Sequence, residues 1–131
     1  ISGDVKGLKA LYRMYLWDNP KFHFVRKNAE DCQFDEYISL NIRQICIEGE
    51  KLKSTLENVR HELPPLELKL ELEPTALHQE LTLGPEEFST LASVVEFGKV
   101  ALIVDFNPQP DSVIYESLIS LRRNHIVRIA A

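Results

Sequence analysis

The chain has 131 residues, enough for one compact domain or two very small ones. Its 44% hydrophobic and 27% charged composition is ordinary for a soluble globular protein. The net charge of −5 counts against a general nucleic-acid binder, which needs a basic field to neutralise phosphates.

Residues 1–62 balance ten basic against ten acidic groups, whereas 63–81 and 82–131 carry net charges of −3 and −2. In the first stretch, Asp4 is positioned to cap a helix that runs to about Trp17, with Leu8, Leu11, Tyr12, Tyr15 and Leu16 on one apolar face. Pro20 stops it, because proline lacks an N–H and restricts the residue before it. Phe22 and Phe24 then alternate with Lys21 and His23, which predicts a short strand over Lys21–Lys27. A polar loop follows, and extended apolar character returns around Phe34–Ile38.

Ser39 opens the longest predicted helix, to about Arg60. Ile42, Ile45, Cys46, Gly49, Leu52, Leu56 and Val59 share one face. That stripe narrows in its second half, so this half is expected to project from the core or to meet a partner. Gly49, at the centre of the face, marks a close helix crossing or a mild kink. Pro64 and Pro65 form a stiff connector and the expected boundary between units 1–62 and 63–131.

Beyond it, Leu66, Leu68, Leu70 and Leu72 alternate with Glu67, Lys69 and Glu71, the pattern of a strand with one buried face. Residues 75–83 are ambiguous. Pro85 and Glu86 suit the start of a helix whose buried face is expected to be Phe88, Leu91, Ala92, Val94 and Val95, with Gly98 ending it. A short segment, Val100–Phe106, precedes a loop bracketed by Pro108 and Pro110. Asp111 or Ser112 caps a last helix that turns Ile114, Leu118 and Leu121 inward. Asn124 is the expected left-handed terminator, and Ile126–Ala130 a final strand. The fold class is α+β: a helix–strand–long helix unit, then a small unit of strand, helices and strand.

Chemistry-bearing constellations are sparse. Cys32 and Cys46 lack CxxC spacing or a histidine pair, so two reduced thiols are expected and no metal site is assigned. His23, His61, His78 and His125 have no companion at a recognised motif spacing, and the glycines are scattered singly, so no catalytic residue and no cofactor site are assigned. Apolar runs fall far short of the ~20 residues of a membrane span, and no signal-peptide pattern is present; the expected setting is cytoplasmic.

The block GLKALYRMYLWDNPKFHF resembles the second half of the bacterial PATAN domain through Gly7, Ala10, Leu11, Leu16, Trp17, Phe22 and Phe24. In that family a helix ends in Trp and is followed by a turn and a Phe-x-Phe strand. Tyr37-Ile38-Ser39 and Ile45-Cys46-Ile47-Glu48-Gly49 resemble the family's next helix, and the resemblance covers roughly residues 3–60. The family's first half, a helix and a β-hairpin, would end where Ile1 stands. The aromatic strand is therefore expected to lack neighbours and to invite pairing with another chain.

The resemblance implies a non-enzymatic adaptor of two-component signalling that binds a signalling protein, such as a receiver domain of the parent chain, or a second copy of itself. The expected contact residues are Phe22, Phe24, Leu52, Leu56 and Val59. The segment after the prolines is similar to a winged-helix core, which gives the alternative of a DNA-binding regulator. There Arg122 and Arg123 are the favourable groups, while Asp111 and Glu116 on the same helix would repel phosphates.

Overall fold

The computed structural model describes residues 7–28, 30 and 39–130; the proposed cap at Asp4, Cys32 and the extended run at 34–38 lie outside them. The described residues form five α-helices and one two-stranded antiparallel sheet, a mixed α+β arrangement.

Helix α1 spans Gly7–Tyr15 and closes in a tight turn, Leu16 N–H donating to Arg13 O and Trp17 N–H to Met14 O. Asn19 then takes a left-handed φ of 49°, which asparagine tolerates and which turns the chain before Pro20. Helix α2 spans Ile42–Val59 and runs into a 3₁₀ turn at Arg60–Glu62. Its true N-cap is Asn41, whose Oδ1 accepts from Gln44 N–H at 2.8 Å. The helix starts there, two residues after the predicted start, because the side chain satisfies an otherwise unpaired N–H.

Gly49 is the crossing point of α1 and α2. A Cβ at this position would stand 2.7–2.8 Å from the ring carbons of Tyr15, so only glycine lets the two helices approach this closely. The Tyr15 hydroxyl then donates to the carboxylate of the next residue of α2, Glu50, at 2.7 Å.

Strand β1 is only Leu70–Leu72, shorter than the leucine alternation predicts. The carbonyls of Leu66 and Leu68 instead accept from Ala101 N–H and Val100 N–H, both at 3.0 Å. The first half of the alternating segment thus satisfies the open N-terminus of α4, Val100–Phe106. Strand β2, Val127–Ile129, pairs antiparallel with β1 in the register Leu70↔Ile129, Glu71↔Arg128 and Leu72↔Val127.

Helix α3 spans Pro85–Phe97, with Pro85 in its first turn and Gly98 ending it at φ 71°. Its orientation corrects the sequence reading in part: Val94 and Leu91 face the core as expected, but Phe88, Ala92 and Val95 do not. The buried residues are Thr90, Ser93 and Val94, while Phe88 and Val95 are 66% and 67% exposed. The polar residues turn inward because the α4–α5 loop needs partners. Asn107, 2% exposed, donates to Ser93 Oγ at 2.9 Å and to Ser89 O at 3.3 Å, while its Oδ1 accepts from Gln109 N–H. Leaving this buried amide unpaired would cost about 1–3 kcal/mol, of the same order as the burial of one phenylalanine side chain.

Helix α5 is Asp111–Arg123, with Pro110 at the cap position. The left-handed residue after it is His125, φ 56°, one position beyond the expected Asn124. The core draws on α3, α4, α5 and the strand segments: Val94, Val100, Ile103, Val104, Ile114, Leu118, Leu121 and Ile126 are all buried with Leu70 and Val127. Each fully buried aliphatic side chain contributes about 1.5–3 kcal/mol. This core lies wholly after the proline pair, and α1 and α2 are applied to it.

Candidate interaction surfaces

Residues 21–28 carry no regular secondary structure, so the predicted strand at Lys21–Lys27 does not form within the chain. No strand among the described residues offers Phe22–Val25 a ladder, and alternation alone does not hold an isolated strand in water. Phe22, Phe24 and Val25 are 78%, 94% and 61% exposed. The two phenyl rings meet edge to face, centroids 6.0 Å apart and planes at 84°. That contact keeps both rings on one side of the segment and makes a small aromatic projection.

The other expected contact residues behave differently. Leu52 is buried at 8% exposure, and Leu56 and Val59 are half-buried. Leu56 lines a hollow with Leu16, Leu63 and Tyr115, and Val59 lines one with Ile119. The second half of α2 therefore spends its apolar stripe on the body of the protein, against the expectation that it projects. Its first half is the exposed part: Ile42 is 79% and Ile47 47% exposed, and Cys46 is a free, exposed thiol.

What fastens α1 to the rest is a charged cluster that hydrophobic periodicity does not reveal. The Arg13 guanidinium forks onto Asp111, Nε to Oδ2 at 2.6 Å and Nη2 to Oδ1 at 3.2 Å, and its Nη1 reaches Asp105 Oδ1 at 2.8 Å. Lys9 donates to the carbonyls of Val104 and Asn107 at the end of α4, with Asp111 Oδ1 at 3.5 Å. A cation there meets the negative end of the α4 dipole, and Asp111 occupies the positive end of α5. The Lys9, Arg13 and Asp111 side chains are only 12%, 17% and 9% exposed. Burial holds the Lys9 ammonium below the usual lysine range, although Asp111 pulls the other way. For Arg13 burial also works against the charge, but hydrogen bonds to Asp111 and Asp105 outweigh it and push the guanidinium above its ordinary value. Burial raises the neighbouring Tyr115 hydroxyl, helped by the Asp111 charge. The sequence signal was an acid directly after Pro110, which reads as a cap and not as the far partner of an arginine 98 positions earlier.

Arg122 and Arg123, the residues of the DNA alternative, lie at the end of α5. Arg123 holds the Glu62 carboxylate, Nε to Oε2 at 2.8 Å, and Arg122 Nη1 reaches Glu62 O at 3.4 Å. The Arg123 hydrogen bond keeps Glu62 below the usual carboxylate range. The chain matches no family model, no curated protein and no solved structure. Among the described residues, no group of three or more His, Cys, Asp or Glu is placed to hold a metal ion, and no helix is long and apolar enough to cross a membrane.

Proposed function

We propose that this chain is a regulatory, non-enzymatic module of bacterial signal transduction that works by binding another protein. In this reading residues 1–62 are the second half of a PATAN-like unit and 63–131 are winged-helix-like. The observation that carries the contact is the aromatic projection: two phenyl rings, 78% and 94% exposed, meeting edge to face on a segment with no ladder among the described residues. Exposed aromatic pairs are costly to leave in water and are the residue types most often found as binding anchors. The winged-helix-like description is supported by β1 preceding α3–α5 and pairing with β2 directly after α5.

Protein contact has more behind it than DNA contact. Helix α2 lies along α5, where Val59 shares a hollow with Glu116, Ser120 and Arg123. A recognition helix needs that flank free to enter a groove. Arg123 is also engaged by Glu62, so a phosphate would have to displace a carboxylate.

The direct test is a photo-crosslinking residue at Phe24, with the captured protein identified by mass spectrometry in the cells that make this chain. Crosslinks to a signalling protein such as a receiver domain are expected. Crosslinks confined to nucleic acid, or to a metabolic enzyme, would overturn the reading.

A further inference from the structure

Three elements bring cationic side chains to one place. Arg122 and Arg123 stand at the end of α5, Arg128 on β2, and His61 in the 3₁₀ turn after α2. All four line a cleft of about 600 Å³, within the range of about 300–1,000 Å³ usual for small-molecule sites. The negative end of the α5 dipole favours Arg122 and Arg123, but it does not account for Arg128 on another element. The one acidic residue in the lining is Glu62, although the whole chain carries −5.

Pairing sorts these cations. Arg123 is held by the Glu62 carboxylate, and Arg128 by Glu71 at 2.7 Å and Glu73 at 3.5 Å. Arg122 makes one long bond, Nη1 to Glu62 O at 3.4 Å, and its other N–H groups have no acceptor among the described residues. A guanidinium carries five donors in a fixed fork, so a half-buried arginine used this little has room for a planar anion.

The rest of the cleft is apolar. Ile119 and Val127, 5% and 3% exposed, close its floor, and Leu63, Pro65 and Ile129 stand beside it as accessible walls. Pro65 has no N–H, so that wall offers a polar body no backbone donor. One unpaired cation against an apolar wall fits a ligand with a single negative charge and an apolar body. A dianion would place its second charge beside Glu62 with no cation left to meet it.

We infer that this cleft is a binding site for a small organic acid, a monocarboxylate whose apolar body rests on Leu63, Pro65 and Ile129 while Arg122 receives its carboxylate. Arg123, kept in place by Glu62, adds positive potential beside the head group, and Glu62 itself opposes the ligand and limits its affinity. The site is separate from the aromatic projection and does not rest on the signalling assignment.

The test titrates phenylpropionate into the intact, isotope-labelled chain at low salt, read by the chemical shifts of backbone amides and of the Arg122 Nε–H. Saturable shifts at Leu63, Ile129 and Arg122 are expected, with half-saturation below about 1 mM. Phenylpropionamide lacks the charge and acetate lacks the apolar body, and each should bind at least about tenfold more weakly. Arg122→Ala should weaken binding about tenfold, and Arg122→Lys by less, because an ammonium keeps the charge and loses the fork. Glu62→Gln removes the opposing carboxylate and should strengthen binding about threefold. Phe22→Ala with Phe24→Ala should leave it unchanged.

No saturation by about 10 mM acid, equal binding of the amide, or wild-type affinity in Arg122→Ala would overturn the inference. So would tighter binding of phenylpropyl phosphate, of a short DNA duplex, or of a peptide through its free C-terminal carboxylate. The acid, amide and acetate comparison needs only the wild-type protein, so the test stands even if Arg122→Ala fails to fold.

Discussion

Replacing Arg13 with Ala tests the charged cluster directly. The substitution removes two bonds to Asp111, at 2.6 and 3.2 Å, and one to Asp105 at 2.8 Å. Losing one partner of a fully buried pair costs about 3–5 kcal/mol. Here Asp105 is 25% exposed and regains water, and Asp111, at 9%, keeps Lys9 at 3.5 Å. About 1 kcal/mol for Asp105 and about 1.5–2 kcal/mol for Asp111 are therefore expected, or about 2.5–3 kcal/mol together. With a urea slope of about 2 kcal/mol per molar, the unfolding midpoint falls by about 1.3 M. A double-mutant cycle with Asp111→Ala should return a coupling of about 1.5–2 kcal/mol. Arg13→Lys keeps the charge but loses the fork, and should fall between. The exposed pair Glu48–Lys51, 3.2 Å apart, serves as control, and Lys51→Ala should shift stability by less than about 0.5 kcal/mol. A coupling below about 0.5 kcal/mol for Arg13–Asp111 would mean that the cluster is a solvated contact and that α1 is held by other means.

Gly49→Ala would stabilise a free helix by about 1 kcal/mol, but its Cβ meets the Tyr15 ring at 2.7–2.8 Å, so thermal melts should show a net loss of about 1–2 kcal/mol. Combining it with Tyr15→Ala should recover stability; a Gly49→Ala protein more stable than wild type would refute the close crossing. Glu62 is held below its usual range by Arg123, so its contribution is complete above the unfolded carboxylate value of about 4.3 and is lost as pH falls through the lower folded value. Glu62→Gln should accordingly flatten the fall of Tm with acidification below about pH 4.5, and an unchanged acid limb would count against the pairing. Phe22→Ala with Phe24→Ala should alter stability by less than about 0.5 kcal/mol, because both side chains already face solvent. A large drop in urea midpoint would show that these rings pack internally after all.

The features legible in the sequence were those decided by a residue and its immediate neighbours. Pro85 at a helix start and Gly98 at its end each act through local geometry, whereas Gly49, open between a crossing and a kink in the sequence, is decided by the distant Tyr15 ring. Misreadings arose where a distant group changed the outcome. Helix α3 is rotated because Asn107 needs Ser93 and Ser89, and apolar counting assigns serine to the outside. The leucine alternation over 66–72 is cut short because Leu66 and Leu68 give their carbonyls to the start of α4. Phe22 and Phe24 alternate as in a strand but have no strand beside them among the described residues. The inward facing of Leu52, Leu56 and Val59 depends on where α5 lies, which no periodicity within α2 can encode. Of the candidate contact residues, only the two phenylalanines occupy the exposed position expected of them.

The bond between Arg13 and Asp111 joins residues 98 positions apart. During synthesis at about 5–20 residues per second, α1 leaves the ribosome roughly 5–20 s before its carboxylate partner exists. Throughout that interval Leu52, Leu56 and Val59 also lack the helix they pack on, since α5 is made near the end of the described chain. The first sixty residues thus emerge rich in aromatic side chains and ahead of the core to which α1 and α2 are applied, since that core lies after the proline pair. Truncations that remove α5 are therefore expected to be recovered in inclusion bodies, not as a smaller folded unit.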